Sequence, residues 1–81
     1  MESPHPASNR GTVVSVRGSV VDIHFDTHLP DIYTLLRAGD GGQIAIEVLM
    51  QLDEHQVRGI ALNPTQGLAR GMNSVDTGGP L

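Results

Sequence analysis

Apolar and polar side chains alternate along several short stretches of the chain, which is the period of a half-buried β-strand. The stretch 20–25 is the clearest, because its apolar and polar side chains fall on opposite faces: Val21, Ile23 and Phe25 against Asp22, His24 and, just beyond, Asp26. A β-branched stretch over 12–17 precedes it, and Gly18 separates the two. The pattern predicts a hairpin over 12–25 or one strand with a bulge.

The stretch 43–52 fits two periods. Alternation places one set of apolar residues on a common face: Ile44, Ile46, Val48, Met50 and Leu52. Helical spacing instead aligns Ile44, Val48, Leu49 and Leu52. β-branched residues at its start and the strand patterns around it favour a strand.

Glycine, proline and polar turns divide the rest of the chain. A looser segment begins at Leu29, and its apolar residues are expected to cover a core: Ile32, Leu35 and Leu36. The sequence then predicts a turn at 39–42, a strand over 57–62, a proline-containing turn at 63–67, and short strands at 68–70 and 73–76 on either side of Gly71. Many short strands with frequent turns predict a small barrel or sandwich without long helices.

The length of 81 residues corresponds to one domain. Residues 1–10 are rich in proline and polar side chains, so we expect a flexible tail there. This segment lacks the apolar core of a signal peptide, and no apolar run approaches the ~18 residues of a membrane-spanning helix. We therefore expect no direct membrane insertion.

Composition excludes several chemistries. The chain has no cysteine, which excludes disulfides, thiolate nucleophiles and cysteine-bound metal centres. It has no lysine, which excludes Schiff-base catalysis and a GxxxxGK[ST] phosphate-binding loop. A net charge of −4 argues against a nucleic-acid partner or an anionic membrane surface.

One cluster has the residue types of a metal site: Asp22, His24, Asp26 and His28. On an extended strand alternate residues share a face about 6.6 Å apart, so a turn would have to bring the ligands together. The alternative is the solvated face of a half-buried strand, and we favour it.

Three other motifs have ordinary structural interpretations. The glycine-rich run 39–42 has amides that could cradle a phosphate, but a hairpin turn fits it better. Asp76, Thr77 and Gly78 match the tripeptide of aspartic proteases, without the second copy that a paired-carboxylate site needs. No serine is accompanied by the residues that would activate it. We therefore predict no catalytic, cofactor-binding or metal-binding residue in this segment.

Two further features concern the outer surface of the predicted barrel. Arg58 lies on a predicted strand, where it could face solvent, pair with a carboxylate or contact a neighbour. Some apolar side chains, Leu49 and Ile60 among them, should point outward if 43–52 and 57–62 are both strands. Exposed apolar area on a small barrel indicates a surface for a partner.

Together, several stretches resemble the amino-terminal segment of the F-type ATP synthase β subunit. They occur in order over residues 10–81: GTVVSVRGSVVDIHF at 11–25, LPDIYTLL at 29–36, IEV at 46–48, VRGIAL at 57–62, TQGLARGM at 65–72 and DTGGP at 76–80. The LPxI and TxGLxRG elements are similar to the β subunit more than to its α relative.

This resemblance implies an all-β fold, a small closed six-stranded antiparallel β-barrel over residues 11–79. It implies that 80–81 begin a linker to a nucleotide-binding domain absent from this chain. ATP or ADP, Mg²⁺ and the catalytic residues would belong to that downstream domain, so the parent protein would be an ion-transporting ATP synthase while this segment is non-catalytic.

The implied role is structural. Barrels of this kind alternate with α-subunit barrels in a crown that holds the hexamer together, and the remaining complex adds γ and other subunits. The implied location is the cytoplasmic face of a bacterial inner membrane, as a peripheral component. Gly59, Pro64 and Gly79 depart from the commonest family pattern and look more like divergent bacterial forms, proposed to pump sodium instead of protons.

An independent small barrel that binds an oligonucleotide or a protein is the alternative. Oligonucleotide binding needs a basic groove and stacking aromatics. The acidic charge and the presence of only Phe25 and Tyr33 as aromatic residues make this the weaker hypothesis.

Overall fold

The structure, a computed structural model, describes residues 9–81. The predicted tail therefore lies outside the described residues except for Asn9 and Arg10, and Arg10 already belongs to the first strand. The strands are β1 (Arg10–Arg17), β2 (Val20–Phe25), β3 (Thr34–Ala38), β4 (Ile44–Gln51), β5 (Gln56–Ala61) and β6 (Asn73–Pro80). A short 3₁₀ turn over Asp40–Gly42 joins β3 to β4.

Within residues 9–81 these strands form a closed barrel in the order β1-β2-β5-β4-β3-β6, with every neighbouring pair antiparallel. β1 and β2 form the predicted hairpin around Gly18, and β4 resolves the ambiguity of 43–52 in favour of a strand. β6 closes the barrel by pairing with β3 on one side and β1 on the other. The predicted closed six-stranded barrel is confirmed.

Inward-facing side chains from β1 to β5, together with Leu68 from the turn before β6, fill the barrel interior. The core consists mainly of branched aliphatic residues around one aromatic ring: Val13, Val21, Ile23, Phe25, Leu36, Ala38, Ile44, Ile46, Val48, Val57 and Leu68. The predicted apolar face of β2 is fully buried, because its alternation matches the two sides of the barrel wall.

Two buried glycines leave room for large side chains of the neighbouring strand. A Cβ on Gly11 would lie 2.7 Å from Phe25 Cζ and 2.8 Å from the His24 carbonyl oxygen. A Cβ on Gly59 would lie 2.5 Å from Ile46 Cγ2. Small residues opposite large ones are a common solution for filling a small barrel. Gly59 therefore lies where β4 and β5 pack closely.

The end of β4 differs from the prediction because it contains a β-bulge. The pairing of β4 with β5 shifts register between Val48 and Met50, so the alternation is lost there. Val48 is buried, but Leu49, Met50 and Leu52 are all exposed. The expected inward face over 43–52 therefore ends at Val48.

Three other predictions were wrong. The segment 68–70 is a turn, because Leu68 N–H donates to the Thr65 carbonyl and Met72 N–H to that of Ala69. Leu68 still joins the core from this turn. Ile32 does not cover the core but is exposed. The looser segment also contains a strand that was not predicted, β3, in which Leu35 and Leu36 are consecutive buried residues.

Candidate functional site

The four residues of the proposed metal cluster do not converge. Asp22 is held by Arg58, whereas His24 Nε2 lies 2.8 Å from Asp26 Oδ1. The backbone carbonyl of His28 accepts a hydrogen bond from Asn9 Nδ2 at 2.7 Å. Nowhere in the described part of the chain do three histidine or carboxylate side chains form a group that could hold a metal ion.

Asp22 and Arg58 form an ion pair across β2 and β5, where they are directly opposite in register. Arg58 Nε donates to Asp22 Oδ1 at 2.8 Å and Nη2 donates to Oδ2 at 3.0 Å, a bidentate arrangement. Hydrogen bonding by Arg58 lowers the pKa of the Asp22 carboxyl, although burial opposes the change. Of the options left open by the sequence, Arg58 thus pairs with a carboxylate.

The glycine-rich run 39–42 is a hairpin connection. Gly42 N–H donates to the Gly39 carbonyl, and β4 begins at Ile44, immediately after the turn. No α-helix follows whose amino terminus could support a phosphate. The run therefore links antiparallel β3 and β4, as the hairpin interpretation predicts.

The segment Asp76-Thr77-Gly78 lies inside β6, where its polar groups make local bonds. Asp76 Oδ1 accepts from Gly78 N–H at 2.7 Å, and Oδ2 accepts from Asn9 Nδ2 at 3.1 Å. Thr77 Oγ1 donates to the Leu35 carbonyl on β3 at 2.8 Å. These contacts tie the end of β6 to its surroundings, which is a structural role.

An exposed apolar surface lies beside the end of β4. We call it the apolar patch and define it by Ile32, Tyr33, Leu49, Met50 and Leu52, all of which are exposed. Tyr33 N–H donates to the Val48 carbonyl at 2.7 Å, and Gln51 Nε2 donates to the Pro30 carbonyl at 3.0 Å. These bonds hold the two contributing segments side by side.

Two local distortions turn the side chains of the apolar patch outward. The bulge after Val48 leaves consecutive residues, Leu49 and Met50, on the outer surface. Tyr33 adopts φ 73°, which is uncommon for a bulky residue, and it is 62% exposed. The predicted outward position of Leu49 is confirmed, whereas Ile60 is only partly exposed.

The two aromatic residues have different environments. Phe25 is buried in the core, so its ring is not accessible for base stacking. Tyr33 is exposed but belongs to the apolar patch. A stacking platform of successive aromatic residues is therefore not formed in the region 9–81.

The fold is that of a small closed β-barrel with an exposed apolar patch, and its described residues contain no group of three or more histidine or carboxylate side chains that could hold a metal ion. Residues 13–78 match the ATP synthase alpha/beta family, beta-barrel domain. The chain belongs to this family.

Curated relatives agree with the match. The chain is 69% identical over 75 residues to "ATP synthase subunit beta 2" of Polaromonas naphthalenivorans, covering 93% of this chain and 16% of the relative. It is 62% identical over 80 residues to "ATP synthase subunit beta 1" of Marinomonas sp., covering 93% of this chain and 16% of the relative. It is 57% identical over 81 residues to "ATP synthase subunit beta 2" of Nitrosospira multiformis, covering 100% of this chain and 17% of the relative.

These matches confirm the resemblance to the β-barrel segment of ATP synthase β subunits. The chain spans 16–17% of the length of these relatives. Across residues 9–81 the structure contains no helix with the length and apolarity needed to cross a membrane.

Proposed function

We propose that this barrel is the crown domain of the catalytic β subunit of an F-type ATP synthase, and that it holds an alternating α/β hexamer together. The single observation that carries the proposal is the apolar patch, supported by the family membership of the chain. Patches of exposed apolar residues on small domains commonly mark surfaces for protein partners. A neighbouring α-subunit barrel is the proposed partner.

Burial explains how the patch would act. Leu49 and Met50 are each about half exposed, so covering them removes apolar surface from water. The positive φ of Tyr33 and the bulge in β4 maintain a locally unusual backbone, which often occurs where function requires it. A barrel of this size has a small core, so assembly would also stabilise its fold.

The parent protein would supply the chemistry. In this proposal ATP or ADP and Mg²⁺ bind to a nucleotide-binding domain outside these 81 residues, and residues 80–81 lie at the approach to it. ATP synthesis or hydrolysis there would be coupled to proton or sodium transport, with γ and other subunits completing the complex. The location would be peripheral, on the cytoplasmic face of a bacterial inner membrane.

The test uses the full-length β subunit that carries this segment. Leu49→Asp should weaken assembly with α subunits by about tenfold or more, because it removes an exposed leucine that the proposed contact would bury and introduces a charge that must be desolvated. Leu62→Asp is the matched control, since Leu62 has the same 45% exposure but lies outside the apolar patch. Native mass spectrometry at graded protein concentrations measures both.

Equal hexamer formation by both variants would argue against the apolar patch as the contact surface. A second variant examines the broader role. Deletion of residues 10–81 from the β subunit should abolish the stable hexamer, and a normal hexamer from this deletion would overturn the proposed assembly function.

A further inference from the structure

One methionine belongs to the apolar patch. Met50 follows the bulge after Val48, and its side chain lies on the outer surface with 47% of the residue exposed. The other methionine of the described residues, Met72, is partly buried and packs against the core. The two thioether groups therefore differ in their access to dissolved molecules.

The thioether of Met50 is the group of the apolar patch that a mild oxidant can modify. The other members carry hydrocarbon side chains or, in Tyr33, a phenol. Oxidation of a methionine to its sulfoxide converts a flexible apolar side chain into a polar one, and it disrupts surfaces that depend on apolar contact. A single oxygen atom at Met50 would therefore change the character of this surface.

The environment of Met50 suits the polar product on the free barrel but not in an apolar contact. Met50 lies opposite Arg58 in the β4–β5 ladder, and Arg58 is fixed by two hydrogen bonds to Asp22. A guanidinium carries only donors, whereas a sulfoxide oxygen is an acceptor. Covering that oxygen with apolar side chains would bury an acceptor without a partner, which costs free energy.

We propose that Met50 is an oxidation site that controls the entry of the free subunit into its assembly, with a peroxide as the oxidant. In the reaction with hydrogen peroxide the sulfur lone pair forms the S–O bond while the O–O bond breaks. The thioether loses two electrons, and the second oxygen leaves with both hydrogens as water. Methionine sulfoxide reductases reverse the change. The effect on assembly rests on the proposed function of the apolar patch.

The order of events matters for this control. A partner barrel seated on the apolar patch would cover Met50, so the sulfur reacts in the free subunit and is protected in the hexamer. Oxidation therefore acts before assembly and prevents it, and it does not dismantle hexamers that have already formed.

The first test measures oxidation itself. The full-length β subunit that carries this segment is exposed to hydrogen peroxide, alone and within the α/β hexamer, and oxygen uptake at each methionine is followed by peptide mass spectrometry. In the free subunit Met50 should react about tenfold faster than Met72, because oxidation follows exposure. In the hexamer the rate at Met50 should fall to about that of Met72.

The second test measures assembly. The β subunit alone is treated with peroxide, the oxidant is removed, and hexamer formation with untreated α subunits is followed by native mass spectrometry at graded concentrations. Oxidation should weaken assembly by about tenfold, and treatment with methionine sulfoxide reductases should restore it. Met50→Leu, which keeps the size and apolarity of the side chain but has no sulfur, should assemble normally and resist peroxide. Met72→Leu is the matched control and should remain sensitive.

The outcomes separate this proposal from the proposed function. Protection of Met50 in the hexamer together with normal assembly of oxidised β would overturn the proposal and leave the apolar patch as the contact surface. Equal oxidation of Met50 in the free subunit and in the hexamer would overturn both. Equal rates at Met50 and Met72 in the free subunit, or equal loss of assembly in wild type and Met50→Leu, would overturn the proposal alone.

Discussion

Replacement of Gly11 by alanine tests whether close packing between β1 and β2 determines the stability of the barrel. Gly11 lies opposite Phe25 in the β1–β2 ladder, and its backbone does not have a positive φ, so the effect of Gly11→Ala is steric. The new Cβ would lie 2.7 Å from Phe25 Cζ, 2.8 Å from the His24 carbonyl oxygen and 2.8 Å from Ile23 Cγ2. Ordinary carbon contacts are about 3.5–4.0 Å, so each neighbour would have to move by nearly 1 Å.

The surroundings offer little room for such a movement. Phe25 and Ile23 are fully buried, and the His24 carbonyl belongs to the barrel wall. Overpacking of a buried site typically costs about 1–3 kcal/mol, and three simultaneous contacts that include a backbone oxygen place Gly11→Ala at about 2–3 kcal/mol. For a domain of this size that corresponds to a decrease in Tm of roughly 10–20 °C.

Gly79→Ala is the matched control, because a Cβ there has no heavy atom within 4 Å and the φ of Gly79 is not positive. We expect it to change the free energy of unfolding by less than about 1 kcal/mol. Thermal unfolding followed by far-UV circular dichroism, together with urea denaturation, measures both variants. A Tm for Gly11→Ala within about 3 °C of the control would refute the steric argument.

Three further predictions address single contacts. Ser74 Oγ is buried without a hydrogen-bond partner among the described residues, so Ser74→Ala should stabilise the chain by about 1 kcal/mol, and a lower Tm would contradict this. Ile46→Ala should cost about 2–5 kcal/mol in urea denaturation because Ile46 is fully buried, whereas Leu62→Ala at an exposed site should change stability by less than about 1 kcal/mol. Arg58 lowers the pKa of Asp22 below its ordinary value of 3.8, so this carboxylate contributes stability above about pH 4 that is lost as the pH falls through the lower folded-state value. Asp22→Asn should therefore flatten the acid limb of the stability–pH profile, and parallel profiles for wild type and Asp22→Asn would contradict the assignment.

The sequence predicted strands best where alternation was regular. β2 shows this, since Val21, Ile23 and Phe25 are all inside the barrel. β3 was missed because Leu35 and Leu36 are both buried near a register shift, which removes the period-two signal. The end of β4 was misassigned for the same reason, because the bulge after Val48 cannot be read from local hydrophobicity.

Pairing and side-chain contacts depended on distant parts of the chain. The residues alone did not distinguish a barrel from a sandwich, and the closed barrel was predicted from the family resemblance. The Asp22–Arg58 pair joins residues 36 positions apart, so the sequence allowed it without indicating it. The rings of His24 and His55 lie 5.6 Å apart, and the sequence did not indicate this because it requires β2 to pair with β5. The only indication of this contact in the sequence was that His55 lies next to the start of a strand.

The position of β6 has a consequence for folding. Residues up to 61 contain strands that can assemble into an open sheet in the order β1-β2-β5-β4-β3, which leaves unpaired edges on β1 and β3. β6 pairs with both of these strands, and its ladder with β1 spans only Arg10–Val75, Gly11–Ser74 and Thr12–Asn73. Unpaired strand edges promote intermolecular association. During synthesis, therefore, the chain is most prone to aggregate in the interval before β6 becomes available to occupy both edges.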